Sequence, residues 1–162
     1  MKKTSPYLLG HGVFFFFICF IFISCSEDAN DDQTRKTDNK LALLAADRAF
    51  SALSEKEGMK SAFIEYLDSN GVLLRPGILP VAGAQAIDYL IQQSDQDYTM
   101  SWDPRYAEVA ESGELGFTYG IYILKPTTYD TLIYGNYTST WRKQTDGKWK
   151  LLIHTSNEGL GQ

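Results

Sequence analysis

Four stretches that follow Asp95, "YTMSWDPRYAEVAESG", "LGFTYGIYIL", "TLIYGNYTSTWRKQ" and "KWKLLIHTSN", do most to limit what this chain can become. Each is rich in Tyr, Thr, Ile or Trp, residues that suit a pleated, half-buried surface, and turn-forming residues separate them. Asp146-Gly147 between the last two is a tight-hairpin signal, because such turns need positive φ and glycine supplies it without strain. Residues 98–157 are therefore expected to form an antiparallel meander. The preceding residues read differently. Leu41, Leu44, Ala45, Arg48, Phe50 and Leu53 lie in an Ala-, Leu- and Glu-rich stretch without Gly or Pro, a helical pattern that Asp38 or Asn39 could cap and Gly58 would stop. "MKSAFIEYL", residues 59–67, reads as a second helix with Met59 and Phe63 on one side. Asp68-Ser69-Asn70-Gly71 reads as a turn, "VLLRPG" as a short strand, and residues 83–93 as a third helix. Helices followed by a run of strands predict an α+β domain with the helices packed on one face of the sheet.

The N-terminal residues carry a different message. Lys2 and Lys3 precede an apolar run over residues 13–23 that stops at Ser24-Cys25. Eleven residues are short of the roughly 20 needed to span a bilayer as a helix, but they fit the core of a secretory signal. Phe22-Ile23-Ser24-Cys25 resembles a bacterial lipobox, in which the cysteine is lipidated and becomes the mature N-terminus. The acids that follow, Glu27, Asp28, Asp31 and Asp32, resemble the export tag of Bacteroidetes surface lipoproteins. The expected organisation is a signal peptide over residues 1–24, a flexible acidic tether over 25–39 and one domain over 40–162. The expected location is the cell envelope, with the lipid on Cys25 holding the domain at the outer membrane; the export-tag resemblance adds surface exposure as an expectation.

Cysteine usage agrees. Cys19 and Cys25 are the only two thiols, so the domain has none for disulfides, thiolate zinc sites or cysteine nucleophiles. Loss of Lys2 and Lys3 with the leader leaves 13 basic residues against 20 acidic ones, a balance that disfavours nucleic-acid binding.

Several short patterns then fall in order along the domain: Arg75-Pro76-Gly77, Gly83-x-x-x-Ile87, Trp102-x-Pro104, Ser112-Gly113-x-Leu115-Gly116, Thr118-x-Gly120-x-Tyr122, Gly135-x-Tyr137-x-x-x-Trp141-Arg142 and Asp146-Gly147-x-Trp149-Lys150. Their order and spacing resemble the nuclear transport factor 2-like superfamily, within it the SnoaL-like and domain-of-unknown-function 4440 groups, over residues 41–157. The resemblance implies a cone: a strongly curved antiparallel sheet wrapped around N-terminal helices and open at one end to a pocket, also called a cystatin-like α+β roll. That superfamily holds hydrolases, isomerases, cyclases, dehydratases, oligomerisation modules and plain binders, so the fold does not choose a function.

Strand alternation selects candidate pocket residues. Gly135, Tyr137, Ser139 and Trp141 share one face, assigned to the concave side because the aromatics need burial, and Thr118, Gly120 and Tyr122 form the matching face of the preceding strand. Trp102 belongs to the core or the pocket rim. Arg75, out of phase with Val72 and Leu74, would serve an anionic ligand if it points inward. His154 is the only histidine past the leader. By simple alternation it falls with Lys150, Leu152 and Ser156, opposite Trp149, Leu151, Ile153 and Thr155. Related groups often carry an aspartate directed to the pocket at this point, so histidine here is a departure. If it faces the cone, an unperturbed imidazole would make binding depend on pH around 6.5. Asp47, Asp68 and His154 are weak catalytic candidates.

No phosphate-binding glycine loop, nucleophile elbow, His-Glu-x-x-His motif or telling carboxylate pair occurs in the sequence. No metal and no cofactor is expected. The expected partner is a small organic molecule bound in the cone without turnover. A cofactor-free acid-base enzyme of isomerase, dehydratase or cyclase type is the alternative use of the same pocket, and a dimerisation or structural module, with a second copy as partner, is a further one.

Overall fold

The structure, a computed structural model, describes residues 27–159. Helices α1 (Glu27–Glu57) and α2 (Met59–Tyr66) lead into strand β1 (Leu67–Leu74). Strand β2 (Val81–Ala82), helix α3 (Ala84–Gln92) and four long strands, β3 (Tyr98–Val109), β4 (Leu115–Pro126), β5 (Ile133–Lys143) and β6 (Trp149–Glu158), follow. The sheet order is β2-β1-β6-β5-β4-β3. The last four strands form the expected antiparallel meander, and β6 also pairs in parallel with β1. At the β5–β6 hairpin Gly147 takes φ 83°, and the Gln144 amide donates to the Lys148 carbonyl at 2.7 Å.

Helix α1 lies against β3, the edge strand, and its serines cover that edge. Ser51 Oγ donates to the Trp102 carbonyl and accepts from the Trp102 amide, both at 2.7 Å, and Ser54 Oγ donates to the Met100 carbonyl at 2.7 Å. Backbone groups that would otherwise sit open beside the core are thus satisfied. Phe50 stands at the centre of the core. Its ring centroid lies 4.5 Å from Trp102, 4.9 Å from Phe63, 5.0 Å from Tyr66 and 5.9 Å from Trp141. The Trp102, Phe63 and Trp141 contacts are edge-on, the geometry ring quadrupoles prefer.

Three sequence expectations are corrected. Helix α1 begins at Glu27, inside the segment read as a tether, rather than near Asp38. Asp32 pairs with Lys36 one turn on, and Arg35 and Lys36 reach Glu111 in the β3–β4 hairpin. Tertiary anchors and i,i+4 pairing thus order a stretch that has little apolar surface of its own. The face of α1 that enters the core carries Leu43, Asp47, Phe50, Ser51 and Ser54, whereas Leu41 is exposed. Finally, Asp68-Ser69-Asn70-Gly71 lies inside β1, where a register shift against β6 between Leu67 and Val72 absorbs the extra residues. Cys25 and the leader lie outside the described residues. No helix among those described is long and apolar enough to cross a membrane.

Candidate functional site: a polar hub and a cavity at the mouth of the cone

Two chemically distinct layers occupy the concave side of the sheet. The deeper one is built around Asp47, which is fully buried. Helix α1 presents its carboxylate to three strands. Trp102 Nε1 on β3 donates to Oδ1 at 2.8 Å and the Tyr137 hydroxyl on β5 donates to Oδ2 at 2.8 Å. Thr118 on β4 accepts from Trp141 Nε1 at 2.9 Å, and its hydroxyl also acts on Asp47. Burial pushes the Asp47 carboxyl above its ordinary range, and the hydrogen bonds from Thr118, Trp102 and Tyr137 work against that shift. The Tyr137 hydroxyl is pushed far up, first by burial and then by the neighbouring Asp47 charge, so it stays a neutral donor.

The second layer is a cavity of about 160 Å³ at the open end. Met59 and Phe63 from α2 and Met100, Tyr122 and Leu124 from the sheet supply its apolar walls. Arg75, just past the end of β1, His154, Ser156 and Glu158 on β6, and Tyr98 on β3 supply its polar groups. Arg75 continues the alternation that buries Leu73, which carries its side chain inward. The guanidinium lies 5.3 Å from the Phe63 ring centre and donates to the Leu74 carbonyl at 3.2 Å. It joins no ion pair among the described residues, and the groups that act on it electrostatically are Tyr89 and Tyr98 rather than a carboxylate.

His154 is buried, 4.9 Å edge-on from Phe63 and 6.0 Å from the ring of Tyr137, stacked on it. Ser139 Oγ lies 3.0 Å from its Nδ1. Burial, and then the nearby Arg75 charge, hold its pKa well below the ordinary histidine value, so the ring is neutral around pH 6.5. A neutral ring argues against the expected titration of binding around that pH. Simple alternation along β6 also fails, because a register shift between Thr140 and Trp141 changes the phase. His154 accordingly shares the inner side with Trp149 and Leu151 instead of opposing them.

Of the residues singled out in the sequence, Arg75, Tyr122 and His154 meet at the cavity. Thr118, Tyr137 and Trp141 do face the concave side, but they are consumed by the Asp47 hub and the core and do not line the cavity. Trp102 is half-buried in the hub. Asp68 is remote, held by Gln144 Nε2 at 2.9 Å, by the Asn70 amide and by Arg142 at 3.6 Å. Sequence reasoning placed Met59 and Phe63 on the correct helix face and omitted Met100 and Leu124, whose strand phase with Trp102 and Tyr122 was the available signal. A larger depression of about 390 Å³ lies between α1, α2 and the β5–β6 hairpin. Its cations are already engaged, Lys150 by the Glu65 carbonyl and Lys148 by Asp146, so it offers fewer uncommitted polar groups. Among the described residues no group of three or more potential ligands could hold a metal.

No protein-family model and no curated protein matches the chain. Solved structures do. An NTF2-like protein with a cystatin-like fold from Novosphingobium aromaticivorans aligns with TM-score 0.60 at 15% identity, covering 83% of this chain and 89% of that one. A ketosteroid isomerase-like protein from Erwinia carotovora atroseptica aligns with TM-score 0.58 at 17% identity, covering 73% and 95%. The CaMKII hub of S. rosetta aligns with TM-score 0.58 at 15% identity, covering 74% and 96%. At these identities the likeness concerns architecture, and with the cone, its sheet order and its concave layers it makes this chain a bearer of the nuclear transport factor 2-like, cystatin-like fold.

Proposed function

We propose that the domain binds a small organic molecule in the cavity at the mouth of the cone, without turnover, and that a lipid on Cys25 tethers it to the cell envelope. The observation that carries the binding reading is the cavity itself, in which apolar and aromatic walls converge with one uncommitted cation and a neutral imidazole. Its volume, about 160 Å³, suits a ring about the size of benzene. Filling the cavity tests the reading. Leu124→Trp places an indole in the space, so small organic compounds that raise the melting temperature of the wild-type domain should lose that effect in the variant. Hits that stabilise both proteins equally would refute it. The tether has its own test: Cys25→Ser should free the chain from the membrane fraction, and unchanged fractionation would end the lipoprotein reading.

The acid-base alternative narrows to His154, because Asp47 and Asp68 are both committed to hydrogen bonds away from the cavity. A separate observation favours self-association as a second property. Phe117, Tyr119 and Tyr134 are exposed on the outer face of the sheet, with Asn136, Thr138 and Thr140 beside them on β5 and no charged side chain within that patch of β4 and β5. A patch without charge suits an identical patch related by a two-fold axis. Sedimentation of the wild type against Tyr119→Lys would test this, with a dimer that becomes a monomer as the expected result and an unchanged species as the refutation.

A further inference from the structure

We infer that the ligand of the cavity is a small aryl monocarboxylate, an acid about the size of benzoate, whose carboxylate pairs with Arg75 while its ring lies among Phe63, Met100 and Leu124. The inference rests on the binding reading above and goes further by naming the chemical class. Three observations lead to it.

The first is the isolation of Arg75. A half-buried cation without a counter-charge is poorly compensated: its hydrogen bond goes to one backbone carbonyl, its ring contact is Phe63 at 5.3 Å, and the groups that act on it electrostatically are the phenols Tyr89 and Tyr98. The guanidinium presents a planar fork of donors that matches a carboxylate in two parallel hydrogen bonds. The second observation is the size and lining of the space. About 160 Å³ bounded by an aromatic ring, a thioether and a leucine takes one ring rather than a fused or extended body.

The third is the distribution of charge around the cavity. Glu158, at the end of β6, lies on the rim, exposed and close enough to Tyr122 to raise its pKa. One cation inside and one anion at the entrance admit a single negative charge and repel a second, which disfavours dicarboxylates and phosphate esters. Of the other polar groups in the lining, the Tyr98, Tyr122 and Ser156 hydroxyls carry no charge and His154 is neutral, so they add hydrogen-bonding sites rather than a second positive charge. Ser139 at Nδ1 fixes the ring orientation and thereby positions Nε2.

Calorimetric titration of the wild-type domain with benzoate, its neutral isostere benzamide and the dianion phthalate tests the proposal. Benzoate is expected to bind about 10- to 100-fold more tightly than benzamide, the usual worth of hydrogen bonds to a charged group, and more tightly than phthalate. Arg75→Leu should abolish that preference while leaving benzamide binding in place. Since it removes a half-buried charge that has no ion-pair partner among the described residues, the variant should unfold at a similar denaturant concentration, which guards against misfolding as an explanation. Arg75→Lys should retain part of the preference, because the charge remains and the fork does not. Glu158→Gln should narrow the gap between benzoate and phthalate. Equal affinity for benzoate and benzamide would overturn the carboxylate assignment and leave the cavity reading intact. So would a benzoate preference that survives Arg75→Leu. If none of the three compounds binds while another small molecule is lost on Leu124→Trp, the ligand class is wrong and the cavity reading holds.

Discussion

Replacing Asp47 by alanine should be among the most damaging single changes in this domain, although the residue reaches no solvent and touches no cavity. The carboxylate is the acceptor for Trp102 Nε1 and for the Tyr137 hydroxyl, each at 2.8 Å, on two different strands. Without it both donors are left unpaired in the interior, at about 1–3 kcal/mol each. Against this stands the desolvation cost of the carboxylate, seen in its raised pKa, which the substitution relieves. The donors outweigh the relief because the carboxylate is already compensated from three directions. The expected net loss is about 2–4 kcal/mol, a large part of the 5–15 kcal/mol typical of a folded domain. Asp47→Asn keeps one acceptor oxygen but turns an amide donor toward a second donor, and should cost about 1–2 kcal/mol. Urea unfolding followed by tryptophan fluorescence measures both. A double-mutant cycle with Tyr137→Phe should give a coupling energy above about 1 kcal/mol, as expected for partners in one network. An Asp47→Ala domain within about 1 kcal/mol of wild type, or strictly additive effects in the cycle, would refute the assignment of Asp47 as the hub that ties α1 to the sheet.

Stability should also depend on pH through His154. Its folded pKa lies well below the unfolded value near 6.5, so below that pH the unfolded chain takes up a proton that the folded chain does not. The domain should therefore lose about 1 kcal/mol per pH unit on acidification below 6.5, and His154→Gln should remove that contribution. A slope unchanged by the substitution would contradict the buried neutral ring. Asp47 acts with the opposite sign: its raised pKa means stability falls as pH rises from about 4 through the folded value, so Asp47→Asn should abolish that part of the profile. Gly135→Ala should cost more than about 1 kcal/mol by overpacking. Its Cβ would overlap the Tyr122 ring and the Asn157 carbonyl, and retention of wild-type stability would show that the two strands can part locally.

The concave face of β4 and β5 was legible because alternation there is unbroken: Thr118, Gly120 and Tyr122, and Gly135, Tyr137, Ser139 and Trp141, are all buried as their phase requires. The same rule misplaced Trp149 and Leu151 relative to His154, since one bulge in β6 shifts the phase and leaves no mark in residue type. Helix α1 was harder. Its inward stripe includes Asp47, Ser51 and Ser54, polar residues whose partners come from strands 46 or more positions away, and apolar periodicity cannot reveal them. It pointed instead to Leu41, which is exposed. The early start of α1 in the acidic segment was illegible for a related reason. Composition measures how much apolar surface a stretch can bury on its own, whereas Arg35 and Lys36 are held by Glu111, 76 and 75 residues further on. Arg75 shows the reverse case: the lone cation noticed in an apolar strand does line the cavity, because the β1 alternation that buries Leu73 also carries residue 75 inward.

Native mass spectrometry of the domain, purified gently from cells and compared with the Leu124→Trp variant, tests the central claim most directly. Wild-type protein should carry a fraction with the added mass of one small organic molecule per chain, released on mild activation, and this fraction should be absent from the filled variant. Bare protein in every preparation, even after incubation with compound mixtures, or the same added mass on both proteins, would contradict it.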